Sequence, residues 1–153
     1  MQLARSGCTV RLSGVVELDL LEAMREEREN RQYLPGAMFP DELSATPDLA
    51  ECVDGVRDIL VVVPSHGLRD TLTQLKPLLG DDSRICWATK GFELHSGKLP
   101  HQVAGEVLGT GRPMAVLSGP TFAKEVGQGL PTAMTVASND EEFAESLAVA
   151  LSG

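Results

Sequence analysis

The segment at 58–63, DILVVV, constrains the fold most strongly, because five successive apolar residues follow its first position. A strand that is apolar on both faces is typical of a parallel sheet covered by helices on each side. Further apolar runs predict strands at 8–12, 84–89, 114–118 and 133–137. Helices are predicted between them, at 17–30, 47–53, 67–79, 100–109 and 140–151. This alternation predicts βαβ units and a mostly parallel sheet, with an irregular excursion at 30–48.

Composition and charge narrow the function classes. The 153 residues correspond to the length of one domain. Hydrophobic residues make up 42% of them but aromatic residues only 4%, a composition that suits a layered α/β core. A formal net charge of −9 argues against nucleic acid as a partner, since phosphate backbones need a basic surface. No apolar run is long enough to span a membrane, and the three Cys and three His have no metal-ligand spacing.

The carboxyl ends of the predicted strands indicate where a ligand would bind, since α/β sheets hold ligands at that edge. Each of three strands is followed closely by Pro or Gly, in PSHG, KGFE and GPTFAKE. Lys90 follows one of these strands, where its ammonium could meet an anionic or carbonyl group. The alternative, that Lys90 only points into solvent, stays open on spacing alone.

Two GxG sequences, at 109–111 and 127–129, each precede a strand instead of opening a helix. A phosphate-cradling loop needs a strand, then glycines, then a helix N-terminus. Both are therefore predicted to be helix C-caps and turns.

Four quoted segments together resemble the bacterial NAD(P)-dependent glycerol-3-phosphate dehydrogenases: NRQYLPG, ILVVVPSHGLRDTL, WATKGFE and LSGPTFAKEVGQGLPTAM. The resemblance covers nearly the whole chain. It implies an α/β fold of Rossmann-like, doubly wound type with a mostly parallel sheet. It also implies that MQLARSGCTV is the end of a first helix, so the chain would lack the family's first strand and glycine-rich phosphate loop.

The resemblance implies that residues 1–153 are part of an NAD(P)-binding domain, without the helical substrate domain that follows it in the family. No catalytic residue would then lie in this chain, because the family's general acid/base Lys would fall beyond residue 153. The isolated chain is expected to be inactive and prone to self-association. Whether Met1 and Gly153 are true termini is left open.

The resemblance assigns site residues one by one. Lys90 would lie between substrate and nicotinamide, contacting both. Gly119 and Thr121 would contact the substrate, dihydroxyacetone phosphate or sn-glycerol 3-phosphate. Ala123 would lie close to the cofactor, and Tyr33 toward its adenosine half.

The cofactor is expected to be NAD or NADP, and no metal is expected. Family members often carry Arg or His near the end of the second strand, but Val15 stands at about that place, and Arg11, within the strand, is poorly placed to substitute. The choice between NADH and NADPH therefore stays open. The resemblance further implies a cytoplasmic enzyme that supplies phospholipid synthesis, and a homodimer is left open for a full-length protein.

Two alternatives belong to other classes. One is a non-catalytic nucleotide-binding remnant or interaction module. The other is a different Rossmann-type dehydrogenase, such as a ketopantoate-reductase-like enzyme, which the SGPTFAKE and YLPG segments disfavour.

Overall fold

The computed structural model describes residues 1–14, 18–119 and 122–152. Helices and strands alternate along them, and every strand pair with an assigned register is parallel. The strands are β1 Val10–Leu12, β2 Leu43–Ala45, β3 Asp58–Val61, β4 Arg84–Trp87, β5 Met114–Ser118 and β6 Thr135–Ser138. The helices are α1 Gln2–Arg5, α2 Leu18–Glu27, α3 Leu49–Val53, α4 Ser65–Leu75, α5 Pro100–Leu108, α6 Ala123–Gly127 and α7 Glu141–Leu151. The predicted α/β class with mostly parallel strands is confirmed.

Strand β2 corrects the sequence analysis, which treated 30–48 as irregular. It pairs in parallel with β1, with Val10 opposite Leu43 and Leu12 opposite Ala45. Leu43 and Ala45 are buried and Ser44 between them is exposed. Three residues of alternating burial, bounded by Pro40 and Pro47, are too short to stand out against the Pro-rich sequence around them.

The chain divides into two compact units. Unit 1 comprises Met1–Cys52, Gly119–Thr135 and the residues from Glu145 onward. Its two-stranded sheet packs against α2, and its core consists of Ala4, Leu21, Met24, Phe39, Leu43 and Ala45. Leu21 and Met24 of α2 are buried, whereas Leu18 at its start is 56% exposed.

Unit 2 comprises Val53–Ser118 and Val136–Ala144. Its sheet has the strand order β3-β4-β5-β6, and all four residues of β4 are buried. Helix α4 buries Leu68, Leu72 and Leu75, as its leucine spacing predicts, and packs against α5. A 3₁₀ helix, Lys76–Leu78, follows α4 where Pro77 removes a backbone donor.

Both GxG predictions are confirmed. Gly109 is the C-cap of α5, with a φ of 81° that favours glycine. Gly127 ends α6, and Gly129, at a φ of 74°, lies in the turn after it. Within the described residues, no helix combines the length and apolar character needed to cross a bilayer.

Candidate functional site

Lys90 lies in unit 2, three residues after the end of β4, with its side chain exposed. The residue before it is fixed, because buried Thr89 donates a hydrogen bond from Oγ1 to the carbonyl oxygen of Val63, at 2.7 Å. Gly91 follows at a φ of 90°, a backbone angle that few other residues adopt. The buried strand end and the glycine turn present Lys90 at the carboxyl edge of this sheet, as its position after the apolar run predicts.

The loop after Lys90 is held by an ion-pair cluster that the sequence analysis missed. Arg69 of α4 donates from Nε to Glu93 Oε1 at 2.7 Å and from an Nη to Oε2 at 2.9 Å. The same guanidinium reaches Glu106 of α5 at 2.9 Å, and Lys98 pairs with Glu106 as well. Ser96 donates its hydroxyl hydrogen to Glu93. We call these five residues the Arg69 cluster.

The cluster shifts the ionisation of its carboxyl groups. Hydrogen bonds from Arg69, and then from Ser96, lower the pKa of Glu93 to about 2. Those from Lys98 and Arg69 lower the pKa of Glu106. The two acidic groups therefore stay ionised throughout the neutral and mildly acidic range.

Gly119 directly follows β5 and belongs to unit 1, like Ala123 and Tyr33. A Cβ atom built on Gly119 would lie 2.4 Å from the carbonyl oxygen of Ala133. Packing within the chain thus leaves no room for a side chain at residue 119. This is a second explanation for the glycine, in addition to the backbone approach to substrate that the resemblance implies. Thr121, the third residue predicted to bind substrate, lies outside the described residues, and its role stays a prediction.

Ala123 begins α6 and is exposed. The other end of this short helix is capped by Arg5, whose guanidinium donates to the carbonyl oxygens of Val126, at 2.9 Å, and Gly127, at 2.5 Å. Carbonyl groups at a helix C-terminus lack partners within the helix, so this cap stabilises α6 from outside. Arg5 thereby supports the segment that carries Ala123.

Tyr33 is 62% exposed, and its backbone N–H donates to Asn30 Oδ1 at 3.1 Å. Leu34 lies over α6, since a Cβ atom on Gly127 would come within 2.8 Å of Leu34 Cδ2. Within unit 1, the YLPG segment with Tyr33 is thus in contact with the helix that begins at Ala123. The structure brings together two of the segments named by the resemblance, and Lys90 belongs to unit 2.

The end of β1 offers a polar group that fits a cofactor. The Oγ atom of Ser13 is buried and has no hydrogen-bond partner within the described parts of the chain. Buried hydroxyl groups are nearly always paired, so an unsatisfied one at a strand end fits a ligand hydroxyl or phosphate oxygen. Arg11 lies within β1 and donates to the carbonyl oxygen of Glu51 at 2.6 Å, whereas Val15 lies outside the described residues.

Unit 1 also contains a cavity of about 260 Å³. Its lining includes Arg11, Arg28 and Leu43, and none of the predicted site residues. Arg28, at a φ of 54°, donates hydrogen bonds from its guanidinium to the carbonyl oxygens of Pro40 and Leu43. The cavity therefore does not extend the candidate site.

Comparisons with known proteins bear on the family and the fold of the chain. Residues 1–144 match the family described as NAD-dependent glycerol-3-phosphate dehydrogenase N-terminus. A glycerol-3-phosphate dehydrogenase [NAD(P)+] of Actinobacillus pleuropneumoniae is 50% identical over 145 residues, which are 95% of this chain and 43% of that protein. One from Stenotrophomonas maltophilia is 50% identical over 151 residues, 99% of this chain and 44% of that protein.

The crystal structure of glycerol-3-phosphate dehydrogenase from Coxiella burnetii superimposes with a TM-score of 0.93 at 44% identity. The superposition includes 99% of this chain and 46% of the Coxiella burnetii chain. The chain thus spans less than half the length of these relatives. With its parallel α/β architecture and this extent of similarity, the chain belongs to the family of NAD-dependent glycerol-3-phosphate dehydrogenase N-terminal domains.

Proposed function

We propose that this chain is the cofactor-binding part of an NAD(P)-dependent glycerol-3-phosphate dehydrogenase. The reaction is hydride transfer between NAD(P)H and dihydroxyacetone phosphate, giving sn-glycerol 3-phosphate. The observation that carries the proposal is the family match over residues 1–144, with Lys90 exposed at the carboxyl edge of a parallel sheet. A cytoplasmic enzyme that supplies phospholipid synthesis is the corresponding cellular role, and a homodimer is the assembly we propose for a full-length form.

Lys90 binds the reacting oxygen of the substrate in this proposal. Its ammonium donates a hydrogen bond to the ketone oxygen and stabilises the negative charge that develops there. In this proposal Gly119, directly after β5, holds the substrate through its backbone, and Thr121 holds it through its hydroxyl. No general acid/base group is proposed among the described residues, so proton transfer to the alkoxide needs a group from elsewhere.

The cofactor supplies the hydride, at nicotinamide C4, and the chain's own residues hold it. Ser13 is suited to a ribose hydroxyl, because its Oγ atom is buried without a partner among the described residues. Tyr33 is an exposed aromatic ring next to the segment that packs on α6, which suits contact with the adenosine half. Ala123, at the exposed start of α6, leaves room for the cofactor to approach the helix.

Binding to the purified chain tests the proposal. NADH and NADPH are each titrated by fluorescence, and sn-glycerol 3-phosphate is then titrated in the presence of the oxidised cofactor. Lys90→Met should weaken substrate binding about 10- to 100-fold, as expected for the loss of a hydrogen bond from a charged donor. Lys76→Met, at an exposed lysine of the 3₁₀ helix, is the matched control and should bind like the parent.

Turnover is tested in a chimera. The chain replaces the corresponding residues of the Actinobacillus pleuropneumoniae enzyme, and reduction of dihydroxyacetone phosphate is followed with each cofactor. The chimera should be active, and Lys90→Met should lower its kcat/KM. A folded chain that binds neither NADH nor NADPH would contradict the proposal and favour a non-catalytic interaction module.

A further inference from the structure

The Arg69 cluster holds the loop on the carboxyl-terminal side of Lys90, at Glu93. Thr89 anchors the chain one residue before Lys90, through its hydrogen bond to Val63. Glu93 anchors it three residues after, through two hydrogen bonds from one guanidinium. Lys90 and Gly91 therefore lie on a short span that is held by hydrogen bonds at both ends.

Glu93 is held through its backbone as well as through its side chain. The backbone folds back on itself after Glu93, whose N–H donates to the carbonyl oxygen of Lys98 and whose carbonyl oxygen accepts from the N–H of Gly97, both at 2.8 Å. The Glu93 side chain is 15% exposed, so its paired charge is largely shielded from water. A planar guanidinium that binds a carboxylate through two parallel hydrogen bonds fixes orientation as well as distance.

We propose that Arg69 and Glu93 are positioning residues for Lys90: their two-point ion pair fixes the loop from the far side and so sets where the Lys90 ammonium lies. This inference rests on the proposed function for its catalytic meaning, although the placement of Lys90 can be measured without it. The alternative is that the cluster only joins α4 to α5, in which case Lys90 would not respond to its removal.

Glu106 separates the two explanations. It is the residue through which Arg69 and Lys98 are linked to α5, and it takes no part in the two hydrogen bonds from Arg69 to Glu93. Glu106→Gln should therefore lower stability while leaving Lys90 in place. Arg69→Gln and Glu93→Gln remove the two-point pair and should displace Lys90.

The measurement uses the four lysines of the chain, at 76, 90, 98 and 124, after reductive methylation with ¹³C-formaldehyde. Dimethylation keeps the charge, and each resonance is assigned by replacing one lysine at a time. The Lys90 resonance should change its chemical shift and narrow in Arg69→Gln and in Glu93→Gln. It should match the parent in Lys98→Gln, which also removes one positive charge from the cluster, and in Glu106→Gln.

Arg69→Lys adds a test of geometry. Lysine keeps the charge but cannot form the planar two-point pair, so this variant should resemble Arg69→Gln. If it resembles the parent instead, charge alone acts on Lys90 and the positioning proposal is wrong. Glu93→Gln keeps the test available should Arg69→Gln fail to fold.

Substrate binding gives the second measurement. With oxidised cofactor present, Arg69→Gln should weaken sn-glycerol 3-phosphate binding about tenfold, since small displacements of a binding group carry large costs. Lys98→Gln should bind like the parent. A Lys90 resonance that is unchanged in both Arg69→Gln and Glu93→Gln would overturn the proposal. If Lys90→Met itself binds substrate normally, the substrate-binding role proposed for Lys90 is wrong instead, and the resonance still decides the positioning.

Discussion

Gly119 and Ala133 approach each other so closely that no side chain fits between them: a Cβ atom on Gly119 would lie 2.4 Å from the carbonyl oxygen of Ala133. The same atom would lie 3.2 Å from the Cα of Met134. Both obstacles are backbone atoms, which cannot turn aside as a side chain can. The turn after β5 is thus shaped by a contact within unit 1.

Gly119→Ala should therefore lower the free energy of unfolding by about 1–3 kcal/mol, the usual cost of overpacking. Urea unfolding followed by circular dichroism measures it. Gly111→Ala is the control, because nothing lies within 4 Å of its added Cβ and its φ is not positive. That change should leave stability unaltered or raise it by about 0.4–1 kcal/mol. Equal stability of both variants would show that the backbone near Ala133 yields freely.

The depressed pKa of Glu93 predicts a specific acid dependence. The carboxyl group has an ordinary pKa of 4.5 and a pKa of about 2 in the folded chain. Its contribution to stability is complete above the ordinary value and is lost as the pH falls toward the folded value. The stability advantage of the parent over Glu93→Gln should be constant above pH 4.5 and shrink between there and about pH 2.

Urea unfolding at a series of pH values measures this advantage. Glu22→Gln, at an exposed residue of α2, provides the comparison at a carboxyl group outside the Arg69 cluster. An advantage that is independent of pH down to 2 would mean that Arg69 does not hold this carboxylate.

Phe143 contributes a buried aromatic ring to the core of unit 2, in addition to Trp87 of β4. Phe143 is fully buried, and the guanidinium of Arg84 lies 4.6 Å from its ring centre. Arg84 is also paired with Asp58, directly opposite on β3, through contacts of 2.6 and 2.7 Å. Removing the ring would leave a cavity beside a buried cation.

Phe143→Ala should lower the free energy of unfolding by about 3–5 kcal/mol. Phe122→Ala, at a ring that is 68% exposed, is the matched control and should change it by about 0.5 kcal/mol or less. Thermal and urea unfolding of the two variants make the comparison. Similar losses in both would contradict the burial of Phe143.

The sequence was informative where burial leaves a periodic pattern. The helix predicted at 67–79 is present as α4, which buries Leu68, Leu72 and Leu75 at regular spacing. The apolar run at 58–63 predicted strand β3, but the expectation that both of its faces are covered is wrong, because Ile59 and Val61 are buried whereas Leu60 and Val62 are exposed. Strand β2 was missed because three residues are too few for a pattern. Lys90 could be placed from the strand before it.

The Arg69 cluster could not be found in this way. Glu93 and Glu106 lie 24 and 37 residues after Arg69, and ion pairs between such distant positions leave no linear signature. The roles of Gly119 and Thr121 in substrate binding came from the resemblance and stay predictions. Ser13 carried no signal at all, since only the fold reveals that its hydroxyl is buried without a partner in the described chain.

The cap that Arg5 places on α6 has a consequence for synthesis of the chain. Its two hydrogen bonds join residues 121 and 122 positions apart, whereas Arg84 and Asp58 are separated by only 26. A polypeptide emerging from the ribosome can pair β3 with β4 early, but Arg5 cannot cap α6 until residues 126 and 127 have been translated. Arg5 thus reaches its final partners only after Gly127 has left the exit tunnel, later than the strand pairs formed by nearby residues.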